Sequence, residues 1–184
     1  AETAWPGSSI LGDVGTPAIP VVRKLFVIPD GAAMSLRVEL GAGVTIDAAT
    51  LGNALLPVQA PIEKLPGARE NAPFVINEAA YQANAELPVE RATVTELGIV
   101  REQRIGRLEL RPVSYSPATG AATIYPDLMA TVEFQGARAS NSPVSPMPGL
   151  KRVVLNPELV PASPRAEGNY LIITAPLFQT QISS

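Results

Sequence analysis

The sequence predicts an all-β fold, an antiparallel sandwich or barrel with many turns, and three observations predict it. Nineteen prolines and fourteen glycines are spread through the 184 residues, and proline disrupts both helices and central strands. The segments between them are short, and several are β-branched or alternate apolar with polar residues, as half-buried strands do. Apolar residues make up 46% of the chain, enough for one domain with its own core rather than a disordered segment.

Taken in order, Gly15 to Pro20 (GTPAIP) is a rigid extended opening. Ile19 to Ile28 (IPVVRKLFVI) is a strand, and Pro29-Asp30-Gly31-Ala32 is a turn, with Pro presetting φ and Gly accepting positive φ. Met34 to Leu40 (MSLRVEL) alternates as a strand with one wet face, and the two strands are expected to pair as a hairpin. Val44–Ile46 and Ala54–Leu56 read as short strands, Pro57 to Pro73 as a long surface loop, and Asn77 to Asn84 as a helical turn. Further strands are expected at Ala92–Val100, Arg104–Leu110, Ala121–Tyr125 and Leu128–Phe134, with a turn at Ser116–Gly120.

Beyond Phe134 the composition changes. Gly136 to Gly149 and Pro157 to Gly168 read as Ser- and Pro-rich linkers around a brief strand at Val153–Leu155. Asn169 to Phe178 (NYLIITAPLF) then carries a core that is apolar on both faces, the signature of a buried parallel strand. A second, mixed α/β unit is expected to open there and to be cut short at Ser184.

The residue inventory excludes much chemistry. Without cysteine or histidine the chain alone can build no thiolate nucleophile, Ser-His pair, Cys/His zinc site or disulfide. The net charge is -3 and the basic residues are scattered, unlike a nucleic-acid surface. Glu63, Glu70, Glu86, Glu90 and Glu96 show no calcium-loop or paired-carboxylate spacing and read as surface charge. No cofactor and no metal is expected. No apolar run approaches the roughly 20 residues that span a bilayer. The chain opens on Ala1 rather than Met, as after leader removal or trimming.

Three stretches, in this order and spacing, resemble the pro-region of gingipain-type cysteine peptidases. They are GTPAIPVVRKLFVIPDGAAMSLRVEL (Gly15–Leu40), RIGRLELRPVSYSPATGAATIYPDLMATVEF (Arg104–Phe134), and EGNYLIITAPLF (Glu167–Phe178). In the second, Pro112, Tyr115 and Pro117 fill the family's Pro-x-x-Tyr-x-Pro turn, and Tyr115 reads as a core-corner tyrosine rather than a ligand residue. The third resembles the first strand of the caspase-like catalytic domain. The resemblance implies a jelly-roll-like antiparallel β-sandwich pro-domain over residues 1–135, a linker over 136–168, and the opening of the α/β catalytic domain over 169–184. It implies a secreted or cell-surface protein whose partner is the catalytic domain downstream in the same polypeptide. The pro-region would act there as folding chaperone and cleft-occluding inhibitor until cut away.

If the parent peptidase prefers basic residues, an Arg or Lys side chain paired with an acid in the pocket is the expected inhibitory device. Arg101 and Arg104 in VREQRIG stand where the family carries an Arg-x-x-Arg stretch, and here Ile105 separates Arg104 from Gly106. Lys64 and Arg69 in the Pro-rich loop are the fallback. Arg165 in SPRAEGNY, between linker and catalytic strand, is the expected processing site. The rival reading is a non-catalytic β-sandwich module of a surface or adhesion protein. A carboxylate hydrolase would need paired acids in a cleft, which the spacing does not offer.

Overall fold

The computed structural model describes residues 7–52, 54–68, 70–138, 147 and 149–161. Its strands are β1 (Ser8–Leu11), β2 (Ile19–Ile28), β3 (Ala33–Leu40), β4 (Val44–Ile46), β5 (Ala92–Val100), β6 (Gln103–Leu110), β7 (Val113–Ser116), β8 (Ala121–Ile124) and β9 (Leu128–Gln135). Two short helices, α1 (Ala48–Leu51) and α2 (Glu78–Gln82), are capped by the side chains of Asp47 and Asn77. The strands form three antiparallel groups, in the orders β1-β2-β6-β5, β3-β9 and β4-β8-β7. The antiparallel β architecture read from the proline, glycine and alternation pattern is therefore present.

The core explains the pattern. Phe26 and Ile28 on β2, Ala92 on β5 and Leu108 on β6 share one face of the four-stranded sheet. Met34, Leu36, Ala130, Val132 and Phe134 from the β3–β9 ribbon pack against that face. Phe26 and Phe134 meet with ring centroids 5.9 Å apart. Gly106 lies beneath Phe26, where an added Cβ would stand 2.3 Å from the ring, so only glycine lets β6 pass under the phenyl ring. A separate cluster of Ile19, Val113, Tyr115 and Ala122 anchors the three-stranded group, and Tyr115 is only 1% exposed.

The structure departs from the sequence reading at four points. The Pro29–Ala32 turn forms, with the Ala32 N–H donating to the Pro29 carbonyl at 3.1 Å, but it closes no hairpin. β2 pairs with β1 and β6, and β3 pairs with β9. The reason is that Phe26, Ile28, Met34 and Leu36 all need cover, and crossing between layers buries both sets against each other. Residues 54–56 make no strand, and Tyr115 sits within β7 rather than in a turn.

The fourth departure concerns the chain after β9. Residues 149–161, placed by sequence within the linker 136–168, pack on the sheet. Leu150, Val154 and Val160 are buried against Val27 and Ile105, on the face opposite the ribbon. β1 covers β2 only as far as Val22, and this later segment takes over the open edge. Leu155 N–H donates to the Leu25 carbonyl at 2.8 Å. The Asn156 carboxamide serves both backbone groups of Val27, accepting from its N–H and donating to its carbonyl at 2.8 Å each. Asn156→Ala strips both partners from a part-buried peptide and is expected to lower stability by about 2 kcal/mol, measured by urea unfolding. The strand expected at 169–178 and the N-terminal Trp5 lie outside the described residues.

Candidate functional site

β5 and β6 are joined by a turn of two residues, Arg101 and Glu102, at φ of 46° and 63°. Two-residue hairpin loops of this hand require positive φ at both positions and normally use Asn-Gly or Gly-Gly. A side chain with a Cβ in that region costs about 1–2 kcal/mol. Strain of this kind persists where the surrounding structure overdetermines it and gathers at functional sites. Arg101 is exposed at the apex, and no hydrogen bond or ion pair holds its side chain among the described residues.

Arg104 has a different place. Its Nε and Nη2 donate to the two carboxylate oxygens of Glu96 at 2.9 and 2.7 Å, a bidentate pair across the β5–β6 ladder. Its Nη1 donates to the carbonyls of Pro29 and Ala32 at 3.1 and 2.9 Å, tying the hairpin to the β2–β3 turn. The hydrogen bond from Arg104 holds the Glu96 carboxyl below the ordinary carboxylate range, and the same bond raises Arg104. Of the two candidates on this hairpin, Arg101 is presented and Arg104 braces the element that presents it. Sequence spacing could not separate them, because the two-residue turn places one at the apex and the other on the ladder.

Of the remaining candidates, Lys64 is exposed on the Pro-rich loop, while Arg69 and Arg165 lie outside the described residues. That loop is ordered by its base. The Gln59 carboxamide donates to the Val75 carbonyl at 2.8 Å and accepts from the Val75 N–H at 2.9 Å, clipping its two ends together.

A second charged cluster escaped the sequence reading. Glu109 on β6 is buried and meets Arg23 at 2.8 Å, Arg111 at 3.0 Å and Arg107 at 3.2 Å. Burial pushes its carboxyl up, but the Arg23 hydrogen bond and the charges of Arg107, Arg23 and Arg111 outweigh it and hold the group below its ordinary range. The signal was available, since Arg107, Glu109 and Arg111 alternate along RLELR and so share one face.

Among the described residues no group of three or more Asp or Glu side chains could hold a metal ion, and no helix is long and apolar enough to cross a membrane. What the described residues define is an antiparallel β-scaffold with an exposed arginine on a two-residue turn whose φ values are both positive. Residues 2–145 match the Propeptide_C25 family, and the chain belongs to it.

The chain is 32% identical over 137 residues to Lys-gingipain of Porphyromonas gingivalis, a match covering 74% of this chain and 8% of that protein. It thus spans under a tenth of the curated relatives it matches. Among solved structures it is similar to one describing the zymogenic latency of gingipain K from the same organism, at 34% identity, with a TM-score of 0.64 and 72% of each chain covered. It also shares the fold of a complex of the RgpB pro- and mature domains of that organism, at 21% identity and a TM-score of 0.67, over 84% of this chain and 79% of the other. The resemblance to the gingipain pro-region read from the first two stretches is thereby borne out.

Proposed function

We propose that this chain is the pro-region of a secreted or cell-surface cysteine endopeptidase, which it keeps inactive by occluding the cleft and which it helps to fold. Membership of the propeptide family supports this over the adhesion module. The observation that carries the occlusion reading is Arg101, exposed at the apex of a turn with both φ values positive.

The physics of such an inhibitor has two requirements. A basic side chain must reach an acid in the specificity pocket, where a charge-assisted pair forms out of water. The peptide bond beside it must resist attack. Peptidases take extended segments, and the turn at Arg101–Glu102 is the opposite of extended. Arg104 and the paired strands keep it so. Because the apex is already ordered, docking loses little conformational entropy. The same preformed surface would serve as a template on which the peptidase domain folds.

Titrating the chain against its peptidase domain tests this. Stoichiometric inhibition, and a higher yield of active enzyme when the domain is refolded with the chain present, are the expected results. An absence of both overturns the proposal.

Release belongs to the same reading. On it the β pro-domain includes residues 149–161, which pack on the sheet, residues 169–184 open the catalytic domain, and the cut falls between them, after Arg165. Sequencing the N-terminus of the mature enzyme should give Ala166, and a start far from it sinks this assignment.

A further inference from the structure

We infer that the outer end of β5, Leu97 to Val100, is a docking strip that the peptidase domain covers when Arg101 is seated, an inference that rests on the occlusion reading above.

β5 is an edge strand of the four-stranded sheet, in the order β1-β2-β6-β5. Folded proteins guard such edges with charge, because an open row of donors and acceptors invites pairing. β5 changes character along its length. Up to Glu96 its outer residues are threonine and glutamate. The ladder then slips between Glu96 and Gly98, leaving Leu97 outside the register, and Gly98 takes φ 141°. Beyond this bulge the strand is apolar to the apex, with Leu97 51%, Ile99 69% and Val100 43% exposed. Ile99 stands opposite Arg104 and Val100 opposite Gln103 in the ladder, so the two side chains point to opposite faces of the hairpin. They flank the apex on both sides, with Leu97 behind them.

The occupant follows from distance. At about 3.4 Å per residue, Ile99 and Val100 lie within about 7 Å of the Arg101 backbone along the strand. A pocket deep enough to accept an arginine side chain has a rim that reaches this far. The surface receiving Arg101 therefore meets Val100 and Ile99, and the strand edge beside them, unpaired among the described residues, can take an extended segment of that rim. On this arrangement the apolar collar adds affinity to that of the charged contact.

The test uses Leu97→Ser and Ile99→Ser variants of the 184-residue chain, titrated against the peptidase domain beside Arg101→Ala. Each serine variant is expected to raise the inhibition constant about tenfold, the effect of losing one half-buried aliphatic contact. Thermal stability should be unchanged, because these side chains are exposed in the free chain. Hydrogen exchange on the unsubstituted chain gives a second measure, free of folding artefacts. Amides 97–100 should slow on complex formation. Weaker inhibition by Arg101→Ala, with parent-like serine variants and unslowed amides, overturns the docking strip and leaves occlusion standing. A titration insensitive to all three substitutions overturns occlusion, and the strip with it.

Discussion

The Arg101→Ala chain should inhibit its peptidase domain about 100- to 1,000-fold less tightly than the parent chain, the loss of two charge-assisted hydrogen bonds from a desolvated pocket. Its melting temperature should not fall, since the Arg101 side chain is exposed at the apex and no hydrogen bond or ion pair holds it among the described residues. Arg101→Lys separates charge from geometry, because lysine keeps the charge but loses the planar fork, and it should fall between the two. The sharper variant replaces the apex pair by Asn-Gly, which suits a turn with two positive φ values. It should raise stability by about 1 kcal/mol by relieving strained backbone, yet inhibit as poorly as Arg101→Ala. Equal inhibition by the Asn-Gly chain and the parent would show that the apex side chain contributes nothing. A gain in stability joined to a loss of inhibition would show why the domain keeps Arg-Glu at this turn.

Glu109→Gln should lower stability by about 3 kcal/mol. Removing one partner of a buried ionic group strands the others, and the figure stays at the low end because Arg23 and Arg107 keep some water. Three guanidiniums would then face one another with no counter-ion between them. The pH dependence gives an independent check. Glu109 and Glu96 are both held below their ordinary carboxylate values. Their contribution to stability is thus fully present above the unfolded carboxylate pKa, and it is lost as pH falls through the lowered folded values. The parent chain should hold its stability down to about pH 5 and lose it below about pH 4. Glu109→Gln should show a shallower acid decline. Denaturant midpoints measured between pH 3 and pH 7 would reveal it, and parallel curves for the two chains would remove Glu109 from the acid transition.

Much of this architecture was legible because it is written locally. Proline and glycine spacing bounded the strands, and the alternation in MSLRVEL and LMATVEF marked Met34, Leu36, Val132 and Phe134 as one-faced. What was not legible is non-local. Nothing within IPVVRKLFVI says that its end is buried on both faces, because the cover on the second face arrives from Leu150, Val154 and Val160, more than a hundred residues later. The Pro- and Ser-rich composition around those residues pointed to linkers, and the brief apolar stretch read at Val153–Leu155, which makes a single bridge from Val154 to Leu25, was too short to say what it covers. The hairpin assigned to β2 and β3 failed for a related reason. A turn sequence specifies that the chain reverses, but not whether the two arms bond to each other or to separate sheets. At the apex, the motif placed two arginines near a strand junction. Only the exact turn length decided which one projects.

The stitching of Asn156 to Val27 has a consequence for the fate of the severed piece. Scission beyond Val160 would leave the β-fold sealed, and the liberated fragment could linger as a competitor for the enzyme it had just released. Scission upstream of Leu150 would peel away the lid over Val27 and Ile105, and the fragment would be digested instead. On the proposed occlusion reading, the position of the cut relative to Leu150 and Val160 would set whether the fragment stays folded, and with it how quickly inhibition ends.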